Sequence, residues 1–308
     1  MSDNPPTENN QPDTIVKTKT VDRAWLLKLA STASVATAGV LIIAKAVAWY
    51  MTGSVGLLAS LVDSVMDSFA SLINLFAIRY SLQPADEEHR FGHGKAEPLA
   101  GLVQAAFIAG SAIFLILHAI DRLNYPHQMN QIGVGATVMV LSIVLTIGLL
   151  GVQHYVIRKT GSTAIRADAL HYATDLLTNM SILLALYLAS LGMMWADPVF
   201  AIGVAIYIFY SAFHIGNVAF QQLMDRELPD DVLQQIKDTA MEHPEVNGLH
   251  ELRTRQAGQT SFVQMHIELN ECLSLQRSHQ IADEVEKSIM RLLPDTEVLI
   301  HQDPSDDS

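Results

Sequence analysis

The chain has 308 residues, half of them apolar, with 17% charged residues and a formal net charge of −13. A charged fraction below the ~25% of soluble domains, with an acidic balance, excludes a nucleic-acid role, which needs clustered Lys and Arg. A single cysteine, Cys272, excludes an intramolecular disulfide framework.

Residues 1–20 (MSDNPPTENNQPDTIVKTKT) are polar and rich in Pro and Asn, so they are expected to form a disordered N-terminus. They hold no apolar core for a cleaved signal peptide. Six long apolar stretches follow, at 25–51, 54–82, 97–121, 130–157, 163–190 and 196–222. Each reaches the ~20 residues that a helix needs to cross a bilayer. Residues 21–224 therefore read as a membrane all-α domain of six transmembrane helices. Lys and Arg gather on the N-terminal flank (Lys17, Lys19, Arg23, Lys28), the second connector (Arg90, Lys95) and the fourth (Arg158, Lys159, Arg166). The positive-inside rule then expects both termini in the cytoplasm, in agreement with a reduced Cys272.

The second stretch contains LVDSVMD, with Asp63 and Asp67 at i, i+4 on one helical face. Counted from the Gly53 turn at ~1.5 Å per residue, they lie ~15–21 Å deep, near the midplane. Each such carboxylate costs ~2.5–3.5 kcal/mol in hydrocarbon. The fifth stretch contains ADALHYATDLL, with His171 and Asp175 again at i, i+4 and Asp168 one turn away. A lone intramembrane Asp is explained equally well by structural hydrogen bonding; two pairs on two spans favour a ligand set. Three carboxylates and one imidazole suit a divalent ion, and four ligands suit tetrahedral Zn2+. Such an ion leaves −1 where three bare carboxylates leave −3, and protons are the alternative means of removing that charge. Lys45 reads as structural, and His118 and His214 as satisfied locally.

The second connector, PADEEHRFGHGKAE, offers Asp86, His89 and His93 at i, i+3, i+7, with Gly92 and Gly94 allowing a tight bend. A solvated polar loop explains it as well as a zinc site. From Arg226 the composition becomes that of a soluble domain, and the boundary falls within Leu223–Asp231. The tail, 225–304, reads as helix (229–243), two strands around a QAGQ turn, helix (273–293) and strand (296–304), with residues 305–308 beyond. This α-β-β-α-β order is a two-layer α+β domain. His250 and His266 fall on neighbouring strands, and His301 and Asp303 share a face of the last one. His279 approaches from the helix, and His243 reads as a surface residue. The clustering favours a metal-sensing site.

Together, LVDSVMD, HYATD, SLQPADEEHRFGHGKAE and the His-bearing tail resemble the cation diffusion facilitator family, in its bacterial zinc- and ferrous-iron-efflux type. The resemblance covers about residues 25–304. It implies a transport site of Asp63, Asp67, His171 and Asp175, a connector site of Asp86, His89 and His93, and a binuclear tail site of His250, His266, His279, His301 and Asp303, with Gln302 contributing. It implies a ferredoxin- or metallochaperone-like tail that binds metal and dimerises, and an inter-subunit ion pair of Lys95 with Asp225. The expected protein is a homodimer, multi-pass in the inner membrane, exporting Zn2+, or Cd2+ or Fe2+, from cytoplasm to periplasm against protons by alternating access. Further Zn2+ is expected to act structurally or in regulation. A metal-gated channel is the alternative. An intramembrane protease fits poorly, because the spans lack HExxH and four protein ligands leave no position for catalytic water.

Overall fold

The computed structural model describes residues 12–53, 55–124, 134–190 and 196–305. These fall into two compact bodies, Leu26–Met224 and a second built on the chain from Asp225 onward.

The first body consists of helix α1 (Pro12–Thr52) from Leu26 onward, with α2 (Val55–Ser81), α3 (Ala96–Asn124), α4 (Val134–Thr160), α5 (Thr163–Ser190) and α6 (Ala196–Leu223). Helix α1 begins at Pro12, inside the stretch expected to be a disordered terminus; residues 1–11 lie outside the described residues. Among the described residues, five of these helices are long and apolar enough to cross a membrane. Helix α5 carries Arg166, Asp168, His171 and Asp175 in its first half, and beyond Ser181 its side chains are described only in part.

Local chemistry sets the ends. Gly53 (φ +62°) closes α1 with a hydrogen bond from its N–H to Trp49 O at 2.8 Å. Gly161 (φ +68°) does the same for α4 against Ile157 O, at 2.8 Å. The left-handed conformation that ends a helix this way is open to glycine without a Cβ penalty. Ser162 then caps α5, its Oγ accepting from Ile165 N at 3.2 Å.

Inside this body small residues predominate: Ala30, Ser31, Ser34 and Ala38 of α1 are buried, as are Ala105 and Ala112 of α3 and Ala205, Ala212 and Ala219 of α6. Small side chains let helices approach closely where lipid supplies no hydrophobic drive between them. At Gly101 a Cβ would stand 3.3 Å from the Thr163 backbone, so α3 meets the start of α5 across a glycine. Beside it Glu97 Oε1 accepts from Thr163 N at 3.1 Å. Many large apolar residues, among them Phe76, Phe114 and Phe213, face outward. That pattern suits lipid as the surrounding solvent.

The second body forms the expected order: α7 (Asp230–Met241), β1 (Gly248–Ala257), β2 (Thr260–Leu269), α8 (Leu275–Leu292) and β3 (Thr296–Pro304). β1 and β2 are an antiparallel hairpin turning at Gly258 (φ +61°), and β3 adds parallel to β2. Val263, Met265, Ile267 and Leu269 alternate along β2 and are buried against Ile281, Val285 and Ile289 of α8 and Ile236 of α7. Each such side chain contributes roughly 1.5–3 kcal/mol on burial. The other face of β2 is thereby left to its polar residues. On it His266 stands in register with His250 of β1 and His301 of β3.

Candidate metal centres

Helices α2 and α5 bring their paired residues together inside the first body. Ligand atoms of Asp67, His171 and Asp175 lie within 4.8 Å of one another. Nε2 of His171 is buried and lies 3.1 Å from Oδ1 of Asp67. Asp63, one turn along α2, lies outside this group of three but lines the same cavities. One cavity, of about 130 Å3, lies on the α1 and α4 side, bounded by Lys45 and Thr146. The other, of about 430 Å3, lies on the α3 side. Asp63, Asp67 and Asp175 line both.

The stretch of α5 that carries these ligands is held from several sides. Asp168 is fully buried and accepts from Ser34 Oγ of α1 at 2.5 Å, Gln153 Nε2 of α4 at 2.8 Å and Gln104 Nε2 of α3 at 3.3 Å. Tyr172 donates to Ser34 O at 3.1 Å, and its hydroxyl is 2.9 Å from Ser71 Oγ of α2. Asp168 thus belongs to a tether between helices, one turn from the ligands. Lys45 donates to Ser60 O at 3.1 Å and Ser64 Oγ at 2.6 Å, joining α1 to α2 in keeping with a structural part. His214 is exposed on α6 and lines a separate groove with His154; the side chain of His118 lies outside the described residues.

The connector forms a second group. Asp86 Oδ1 is 3.3 Å from His89 Nδ1, and Asp86 Oδ2 is 3.3 Å from His93 Nε2. The backbone N–H of His89 donates to Asp86 at 2.6 Å, and this bond foremost holds the carboxyl below its ordinary pKa. Gly92 (φ +76°) supplies the bend. His93 is buried against Tyr80, with ring centroids 4.5 Å apart, and its Nδ1 has no hydrogen-bond partner.

The tail forms a third group, of His250, His266 and Asp303. Asp303 Oδ2 is 2.8 Å from His266 Nδ1 and 3.2 Å from His250 Nε2, while Oδ1 is 3.2 Å from His301 Nε2. The hydrogen bond with His266 is the first cause of its lowered pKa. His279 is exposed on α8, 3.9 Å from Asp283, and is not in this group. His243 pairs with Glu284 at 3.0 Å. Asp225 is 3.6 Å from Arg255.

Residues 31–224 match the cation efflux transmembrane domain, and residues 228–305 match the cation efflux protein cytoplasmic domain. The chain belongs to the cation diffusion facilitator family. It is 51% identical over 279 residues to the cation-efflux pump FieF of Escherichia fergusonii, covering 91% of this chain and 93% of that one. The FieF protein of Serratia proteamaculans is 50% identical over 281 residues, 91% of this chain and 94% of the other. A solved structure of a putative zinc transporter, CzrB, in its zinc form, matches 27% of this chain and 97% of its own, with 26% identity and a TM-score of 0.26. As a cation diffusion facilitator the chain is a multi-pass membrane metal transporter, not an enzyme.

Two acidic partners in this cation diffusion facilitator escape the sequence reading. Glu268 Oε1 is 3.1 Å from His250 Nδ1, and Glu251 Oε2 is 4.0 Å from His266 Nε2. The period-2 alternation of β2 already sets Glu268 on the face of His266, and that signal would have found it. Glu251 sits at the irregularity between His250 and Arg253, at φ +49°, which alternation does not foresee.

Proposed function

We propose that this transporter exports Zn2+ from cytoplasm to periplasm in exchange for protons, by alternating access, as a homodimer of the inner membrane. One observation carries the reading: three ligand groups converge within 4.8 Å between two cavities that share Asp63, Asp67 and Asp175 in their walls. Alternating access requires such a site to open to one face of the membrane at a time.

The ion leaves its water for the carboxylates of Asp67 and Asp175 and for Nε2 of His171, and Asp63 completes a tetrahedral set. Protons leave these groups as the ion binds, and protons returning from the far side displace it. The O/N donor set also accepts Cd2+ or Fe2+. The connector and tail groups bind further metal and bias the dimer toward its transporting form, and a Lys95–Asp225 pair joins subunits near the membrane surface.

The test is flux in proteoliposomes under a pH gradient. Zn2+ entry should drive proton exit, and Asp67→Ala should abolish both. Full-rate Zn2+ entry after the gradient is collapsed would identify a channel instead. Fe2+ movement without Zn2+ movement would overturn the choice of metal.

A further inference from the structure

The α3-side cavity continues beyond the transport ligands along one face of α2. Asn74 lies seven residues from Asp67, two turns or ~10.5 Å along the helix and on the same face. It lines that cavity, is 2% exposed, and neither its amide nitrogen nor its amide oxygen has a hydrogen-bond partner. Buried amides are nearly always paired, so one with both atoms uncommitted calls for a physical reason. Gln104 of α3 lines the same cavity, eight residues from the start of its helix, as Asn74 is seven from the end of α2. Both therefore sit at one level, between the ligands and the connector. Around them the wall is apolar, with Ile73, Ala100, Val103 and Phe107.

We propose that Asn74 is a way-station for the divalent cation between the connector end of the α3-side cavity and the Asp63/Asp67/His171/Asp175 centre. Its carbonyl oxygen replaces part of the ion's water shell and its N–H2 holds a remaining water. A neutral oxygen suits this task, because it lowers the cost of entering an apolar passage without trapping the ion as a carboxylate does. The inference rests on the reading of the chain as a transporter that binds its cargo at that centre.

Asn74→Leu separates this role from a structural one. The side chains are of similar size, and removing two unpaired polar atoms leaves a purely structural position equally or more stable. A station predicts that kcat/KM for Zn2+ flux falls about tenfold, the effect of one lost ion–dipole contact. Zn2+ affinity of the centre, measured at equilibrium in detergent, should stay within about twofold of wild type. Asn74→Asp should hold the ion longer, lowering both KM and kcat, and it carries the test if Asn74→Leu does not reconstitute. Wild-type flux in Asn74→Leu overturns the station. So does a loss of equilibrium affinity as large as the loss of flux, which would make Asn74 a support of the centre. Wild-type vesicles assayed alongside report on the transporter reading separately: if they move no Zn2+, that reading falls and the station with it.

Discussion

Gln153 of α4 donates to Asp168 of α5 across 2.8 Å, and neither side chain is reached by solvent. Ser34 shares the same carboxylate oxygen, and Gln104 binds the other. Four helices are joined through one acidic side chain, three residues before His171.

Replacing Asp168 by Ala should therefore cost more than an ordinary buried substitution. Ser34, Gln153 and Gln104 lose their acceptor together, at roughly 1–3 kcal/mol for each donor that finds no other. Asp168→Ala is expected to melt well below wild type in detergent, and its Zn2+ affinity should weaken, since the turn bearing His171 loses its anchor. Asp168→Asn, which keeps one acceptor oxygen, should lie between. An unchanged melting temperature in Asp168→Ala would refute the tether.

In the connector, His93 is buried with an uncommitted nitrogen while Asp86 and His89 are exposed. His93→Ala should lower the Zn2+ retained after dialysis by about one ion per chain, measured by elemental analysis, because the remaining two ligands hold zinc too weakly. Flux through the α2–α5 centre should persist, since its ligands are untouched. A chain that retains all its zinc would show that this loop is only a polar turn.

The tail should be sensitive to acid through Glu245 and Glu284. Arg277 donates to both oxygens of Glu245, and that pair is the first cause of the lowered Glu245 pKa; the hydrogen bond between His243 Nε2 and Glu284 Oε2 is the first cause of the lowered Glu284 pKa. A folded-state pKa below the unfolded value means the stabilisation is complete above the unfolded value of ~4.3 and fades as pH falls through the lowered folded value. Hydrogen exchange of the β2 amides should thus accelerate as pH is lowered through that window, after correction for the intrinsic rate. Arg277→Met should flatten this dependence. An identical acid slope in the variant would remove the pair from the account.

Much of this could be read before any coordinates. In a helix, residues four apart share a face whatever surrounds them, so Asp63 with Asp67 and His171 with Asp175 were legible as pairs. In a strand, alternation set His266, and His301 with Asp303, on one face. The connector triad was legible for a related reason: its ligands are close in the chain and its glycines allow the bend.

Periodicity and spacing by themselves determined which residues could act in pairs, and matched motifs determined the family. They did not determine partners. That Asp168 tethers four helices, that Asp67, His171 and Asp175 converge while Asp63 stands apart, and that Asn74 extends their cavity all depend on which helix faces meet. His279 shows the same in reverse: its helix was expected, but its direction, toward Asp283, was decided by which face of α8 the sheet buries. Local geometry is written in the spacing of residues along the chain; contacts between distant segments come from packing, where the shapes of all the helices are fitted at once.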